Sequence, residues 1–342
     1  MSAVPFDLAS VCSRFAPDFE PPKDLMAAHY LDFERPIAEL EAKIDELSRL
    51  SETSGHGAFD AEIAAMRARV TDLRVETYGR LDAWQKTQIA RHPERPHFVD
   101  YLGGLIEEFV ELRGDRAFAD DQAIIGGLGH FRGRPVMVIG QEKGHDTTSR
   151  IKHNFGAARP EGYRKAVRLM DLAERFNLPV LSFIDTGGAY PGIDSEERGV
   201  AEAIARGIER GMTLGVPMIA TITGEGMSGG AIGIGAANRV IIMEHAIYAV
   251  ISPEGCASIL LRDRAMAEGA AKAMKITAQD LLQLKIVDRI VEEPVGGAHA
   301  DPGLAISRVG DAIEAELNDL AGLSPDALRD QRADRFYAIG RG

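Results

Sequence analysis

VPMIATITGEGMSGG (216–230) decides the fold. Its first half, Val216–Thr223, is apolar and β-branched, the composition of a buried strand. It runs into four glycines, and Ala231–Ala237 then offers the small residues of a tightly packed helix. The same unit precedes it. In LPVLSFIDTGGAYPG (178–192) a strand over Leu178–Asp185 meets a glycine turn, and a helix is expected over Ser195–Leu214. A strand that turns sharply into a helix leaves backbone N–H groups pointing at one spot, where the helix end adds partial positive charge. Such an elbow suits a phosphate or a developing oxyanion. Glycine keeps side chains out of the ligand's path.

Outward from the elbows, Gly162–Asn177 reads as a helix. Ala123–Phe131 and Arg134–Gly140 read as a hairpin turning at Arg132 and Gly133. Strands follow at Arg239–Met243 and Ala246–Ile251. Helices are expected near 254–275 and 278–286, with a helical tail over about 303–337. Strands alternating with helices predict an α/β layered core. Towards the amino terminus, Ile37, Leu40, Ile44, Leu47 and Leu50 form one helical seam. Ile63, Met66, Val70, Leu73, Thr77 and Trp84 form another, with the turn signal SETSGHG (51–57) between them. The expected organisation is a proline-rich arm over 1–30, a helical hairpin over 31–95, a core over 96–300 and a tail over 301–342. RHPERPHF (91–98) marks the change into the core.

Composition narrows the function. Lys plus Arg number 39 and Asp plus Glu 52, a net charge of −13, which argues against nucleic acid as a partner. Two cysteines, Cys12 and Cys256, exclude a disulfide scaffold and a four-cysteine zinc site within the chain. Neither a membrane span nor a secretory signal is read, so the expected location is the cytoplasm. No metal spacing stands out, with His130, His145 and His153 on loops. Asp185 reads as a cap for the turn after it.

The second elbow fits two motifs. GEGMSG (224–229) fits a dinucleotide fingerprint, with Glu244 twenty residues after Gly224. GMSGG (226–230) fits a nucleophile elbow that would make Ser228 the nucleophile of a serine hydrolase, with Glu244, His245 and His299 available as partners. A plain packing turn is the third reading. KGHDTTSRIKHNFGAARPEGYR (143–164) adds a basic, loop-like stretch whose Lys143, Arg150, Lys152, Arg159 and Arg164 could meet phosphates or an acidic carrier.

Taken in order, eleven segments resemble one family. They are LDFERPIAELEAKIDEL (31–47), AWQKTQIARHPERP (83–96), GDRAFADD (114–121), RPVMVIGQEKG (134–144), KHNFG (152–156), PEGYRKAVRLMDLAERF (160–176), FIDTGGAYPG (183–192), EERGVAEAIA (196–205), GEGMSGGAIGIG (224–235), VISPEGCASIL (250–260) and EPVGGAH (293–299). The resemblance is to the carboxyltransferase alpha subunits of multi-subunit bacterial acetyl-CoA carboxylase. It implies a crotonase-like fold of repeated ββα units. It implies carboxyl transfer from carboxybiotin, on a biotin carboxyl carrier protein, to acetyl-CoA, giving malonyl-CoA for fatty acid biosynthesis. A carboxyltransferase beta subunit would complete an α2β2 assembly beside biotin carboxylase, and zinc would sit in that beta subunit only.

By the same resemblance, the backbone amides of Gly229, Gly230 and Ala231 would form the oxyanion hole for the biotin ureido oxygen, and Gly187, Gly188, Ala189, Tyr190, Gly226, Met227 and Ser228 would contact substrate; from the basic stretch, Lys143, Arg150 and Lys152 are expected to contact it too. Gly187 stands where the family more usually has proline, and Met227 where it more often has glycine. Met227 would either narrow the approach or pack beneath the turn.

Overall fold

The computed structural model describes residues 29–54 and 59–341. The arm assigned to 1–30 falls outside these residues except for its last two. Helix α1 (Arg35–Ser54) and helix α2 (Asp60–Tyr78) form the expected hairpin. Ile37 and Ile44 of α1 bury against Ile63 and Val70 of α2, flanked by Leu40, Leu47, Met66 and Leu73. The turn signal at 51–57 begins later than expected, because α1 runs through Ser54, and its remaining residues lie outside the described ones. The second seam also stops short. Helix α2 ends at Tyr78, and Trp84 belongs to a separate helix, α3 (Ala83–Ala90), whose N-cap Asp82 accepts the Gln85 N–H.

Eight strands form one mixed sheet: β1 (Ile106–Glu111), β2 (Ile124–Phe131), β3 (Arg134–Gln141), β4 (Val180–Thr186), β5 (Met218–Met227), β6 (Arg239–Met243), β7 (Ile247–Ala249) and β8 (Arg289–Val291). Their order is β1-β2-β3-β4-β5-β6-β8, and β7 pairs with the far end of β5. The first two pairings are antiparallel and the rest parallel. Every residue of β4 and β5 is buried, as a parallel sheet covered on both faces requires. The sequence reading did not contain β1. There Glu108 takes φ 51° and the pairing register slips between Glu107 and Val110, so the bulge interrupts the two-residue alternation that would have announced a strand.

Helix α4 (Phe98–Leu105) lies before β1. The hairpin connection leads through α5 (Thr147–Lys152) to α6 (Pro160–Arg175), which carries proline at its first position and packs on β2 and β3. The helix expected over 195–214 is two, α7 (Ile193–Glu197) and α8 (Val200–Thr213), because Gly199 between them takes φ 76°. Helix α9 (Ser228–Ile232) follows β5 directly. The helix expected over 254–275 is likewise broken. It comprises α10 (Pro253–Cys256), a π-turn over Ala257–Leu261, a left-handed Arg262 at φ 57°, a 3₁₀ turn and α11 (Ala267–Ala273). Helices α12 (Ala278–Gln283), α13 (Pro302–Asp319) and α14 (Pro325–Ala338) complete the chain, so the tail is two helices parted at Gly322, φ 81°. From Leu31 onward the described chain forms one compact unit.

One ion pair fastens the segment after α3 to the core. Arg95 and Glu293 are both almost fully buried and meet through two hydrogen bonds, of 2.6 and 2.9 Å, while Arg95 Nε donates to the Thr223 carbonyl at 2.7 Å. Burial alone would raise the Glu293 pKa; the Arg95 charge outweighs it and holds the carboxyl at about 2, against an ordinary 4.5. Removing one partner leaves an uncompensated buried charge. Glu293→Ala is therefore expected to cost about 3–5 kcal/mol at pH 7, read as a lower denaturant midpoint. The folded pKa lies below the unfolded one, so this stabilisation is complete above about pH 4.5 and is lost as pH falls towards 2. The stability gap between wild type and variant should narrow across that window.

Candidate active site

The ends of β3, β4 and β5 lie side by side, and each contributes a polar group just before the chain turns. Lys143 follows β3, Asp185 closes β4 and Glu225 lies near the end of β5. Lys143 Nζ sits 2.7 Å from Asp185 Oδ1 and 2.8 Å from Glu225 Oε1. Asp185 Oδ1 also accepts the Glu225 N–H at 3.0 Å. Arg91, just after α3, reaches Glu225 Oε2 at 2.7 Å and Glu254 Oε1 at 2.7 Å. Burial by itself would raise the Glu225 pKa, but Lys143 and Arg91 outweigh it and hold the carboxyl at about 2. Burial likewise disfavours the Lys143 charge, and the two carboxylates reverse that and raise its pKa. Lys143 and Glu225 therefore both stay ionised at neutral pH.

On this frame the two elbows touch. A Cβ built on Gly230 would stand 2.7 Å from the Gly188 carbonyl carbon and 2.8 Å from the Ala189 nitrogen. Gln141 joins them as well. Its Nε2 donates to the Gly230 carbonyl at 2.7 Å, and its Oε1 accepts the Asp185 N–H at 3.2 Å. The first elbow is shaped by Thr186. Its hydroxyl accepts the Gly188 N–H at 3.1 Å and lies 2.7 Å from the Gly156 carbonyl. Asp185, expected to cap this turn, faces Lys143 and Glu225 instead, and Thr186 does the capping. Gly188 takes φ 133°, which a side chain would resist. Gly187 does not need to be glycine, since a Cβ there would meet only Glu225 Oε1, at 3.7 Å. Tyr190 is held by its N–H to the Ala158 carbonyl, and the Arg159 guanidinium lies 4.4 Å over its ring.

The second elbow is tighter than the sequence suggested. GEGM is not a loop: β5 continues to Met227, and Glu225–Met227 pair with β7. Gly224 is glycine because a Cβ would stand 2.4 Å from Asp185 Oδ1. The turn is confined to Ser228, which takes φ 53°, and α9 starts there at once. No side chain caps α9, so the amides of its first turn, Ser228, Gly229 and Gly230, are its uncapped end. Ala231 packs into the main core. Met227 packs beneath the turn with Ala90, Ile247, Ala271 and Ile276, so it does not narrow the approach.

Beside this end lies a cavity of about 410 Å³. Ser228 and Gly229 line it together with Tyr248, Ala249, Ile286 and Phe336. Sequence reasoning missed Arg91, Gln141 and Glu225, because each acts through residues distant in the chain, and Thr186, which caps the turn in place of its neighbour Asp185. A charged Glu225 inside an otherwise apolar strand was the available signal.

The basic stretch 143–164 is not a loop, since it holds α5 and the start of α6. Its cations are separated. Lys143 is engaged in the frame, Arg164 binds Asp115 and Glu161, and Arg159 binds Asp194. Arg150 Nε donates to the Gly144 carbonyl at 3.2 Å, and Lys152 is exposed in the last turn of α5. The hydrolase triad is not assembled. Glu244 accepts the Glu293 N–H, the His245 ring packs on Tyr78 with centroids 5.8 Å apart, and His299 stacks on His92 at 3.8 Å. The same engagement of Glu244, with the continuous strand at 224–227, removes the dinucleotide fingerprint.

A family model described as acetyl co-enzyme A carboxylase carboxyltransferase-like matches residues 30–340. The acetyl-coenzyme A carboxylase carboxyl transferase subunit alpha of Caulobacter vibrioides strain NA1000 / CB15N is 72% identical over 316 residues, 92% of this chain and 99% of that protein. The subunit of the same name from Phenylobacterium zucineum is 69% identical over an equal span. Among solved structures, a transcarboxylase 12S with methylmalonyl-coenzyme A and methylmalonic acid bound shares the fold with a TM-score of 0.53 at 18% identity, over 65% of this chain and 41% of that one. A Pseudomonas malonate decarboxylase hetero-tetramer in complex with coenzyme A shares it at 0.53 and 19%, over 64% and 88%. The fold is thus the α/β, crotonase-like one, and the chain belongs to the acetyl-CoA carboxylase carboxyltransferase alpha-subunit family.

Proposed function

We propose that this chain supplies the biotin half of a shared carboxyltransferase site, through which a carboxyl group passes from carboxybiotin to acetyl-CoA to give malonyl-CoA. The carrier would be a biotin carboxyl carrier protein loaded by biotin carboxylase, in the cytoplasm. A beta subunit would complete the site in an α2β2 assembly. The observation that carries this reading is the contact of Gly230 with Gly188 and Ala189, which makes the two elbows one surface with the uncapped end of α9 in it.

Loss of the carboxyl group leaves negative charge on the ureido oxygen of biotin. The amides of Gly229 and Gly230, with Ala231 adjacent, would face that charge as fixed donors, which cost no reorganisation when it develops. The cavity next to Ser228 and Gly229 fits a small ring system with one polar end, as its walls are mostly apolar side chains. Gly187, Gly188, Ala189 and Tyr190 would form the adjoining wall, with Gly226 and Met227 as support beneath. Lys143 would act from below as a positioning residue, and Arg150 and Lys152 remain available to substrate phosphates. Ser228 would serve through its backbone geometry and not as a nucleophile.

Three outcomes follow for the chain co-expressed with its beta subunit and assayed by biocytin-dependent decarboxylation of malonyl-CoA. The pair should be active and the isolated chain inactive; full activity of the chain alone would defeat the shared-site reading. Gly230→Ala should lower turnover on the order of 10²-fold by forcing the elbows apart, whereas Ser228→Ala should leave it largely intact. Lys143→Met, which removes the cation between Asp185 and Glu225 and leaves Glu225 paired with Arg91 alone, should cost turnover of similar order with the assembly still formed on gel filtration.

A further inference from the structure

Glu142, next to Lys143 in sequence, belongs to a different cluster. Its carboxylate is fixed by two backbone donors: Oε1 accepts the Gly144 N–H at 2.6 Å and Oε2 the Val99 N–H at 3.0 Å. His97 Nδ1 stands 3.6 Å from Glu142 Oε1. The His97 side chain is only 6% exposed, and this nitrogen is buried without a hydrogen-bond partner. His145 comes from the loop after Glu142. Its Nε2 lies 3.2 Å from Asp100 Oδ2, an oxygen that also accepts the His97 N–H at 2.7 Å. One donor atom from each of His97, Glu142 and His145 lies within 4.8 Å of the other two.

We infer that His97, Glu142 and His145 form a site for one first-row divalent cation of the zinc class, with Asp100 orienting His145. Two imidazoles and a carboxylate are a donor set that zinc accepts while keeping an open position. Bonds of about 2.0–2.1 Å in a tetrahedron put donors roughly 3.4 Å apart, close to the 3.6 Å between His97 and Glu142. Asp100 at Nε2 keeps the His145 proton on that nitrogen and leaves Nδ1 as the ligand, the carboxylate–imidazole arrangement seen around bound metals. A cation would also satisfy His97 Nδ1, which otherwise bears the cost of an unmade hydrogen bond.

The two rings are stacked, with centroids 4.3 Å apart, so their lone pairs converge only when one ring turns. His145 is the ring placed to do so, pivoting on its Nε2 contact with Asp100: its side chain is 48% exposed and it follows Gly144, at φ 82°. His97 and Glu142 are already in place. Such a cation would be additional to the zinc expected in the beta subunit. Linear spacing conceals the site, since His97 precedes α4 and the other two ligands follow β3.

The test uses the isolated full-length chain, stripped with chelator and titrated with zinc chloride by calorimetry. Cobalt(II) absorption serves as a second readout. One equivalent of zinc is expected to bind. His145→Ala and Glu142→Gln should each weaken binding at least tenfold; His145→Ala should keep the metal-free melting temperature, whereas Glu142→Gln sets an amide NH2 against a backbone N–H and should lower it. His145 is exposed, so its variant should fold even where a change at buried His97 would not. Absence of saturable zinc uptake, or uptake unchanged by His145→Ala, would overturn the assignment.

Discussion

The Lys143 ammonium between the carboxylates of Asp185 and Glu225 is the interaction on which the site depends. Three parallel strands arrive at one edge of the sheet, and nothing in strand pairing alone dictates how far each runs before it turns. Lys143 ties the ends of all three together, and the Glu225 N–H to Asp185 fixes β5 against β4 at the point where their pairing register slips. Such a cluster adds little to net stability, because taking charges out of water costs about what their attraction returns. Its value is geometric. An apolar cluster would tolerate several packings, whereas four charge-assisted bonds centred on Lys143 and Arg91 admit one.

That frame accounts for the glycines. Gly224 leaves room for the Asp185 carboxylate, and Gly230 lets the second elbow rest on the backbone of the first. In both cases glycine is required by the approach of another group, not by its own turn. The turn itself falls on Ser228, a residue with a side chain held in the left-handed region. Strain of this kind persists where the surroundings over-determine it, and here β5 on one side and α9 on the other do so.

The elements best legible in the sequence were those with one uninterrupted period. The buried runs of β4 and β5, the β2–β3 hairpin, α6 and the α1–α2 seam each repeat a single spacing, and each forms close to where it was read. What escaped was local departure from a period. The bulge at Glu108 hid β1, left-handed Gly199 and Arg262 split two helices, and the seam reaching Trp84 joined residues of two helices into one pattern. At the site, the elbows were legible as glycine clusters, but their supports were not. Arg91 and Glu225 are far apart in sequence, and only the folded sheet reveals that one charge answers the other.

The division between backbone and side chain also explains why the chain is read as half a site. Its charged groups nearest the elbows neutralise one another: Lys143 spends its charge on Asp185 and Glu225, and Arg91 on Glu225 and Glu254. What remains facing outward is a helix end of amide donors beside an apolar cavity. Amide donors stabilise one developing anion, but carboxyl transfer between two substrates develops charge on two oxygens in turn. The other elbow, at Gly187–Ala189, is packed against this one. On the function proposed above, a second, independent set of donors would come from another chain. This is a geometric reason for a subunit of this family to work in partnership.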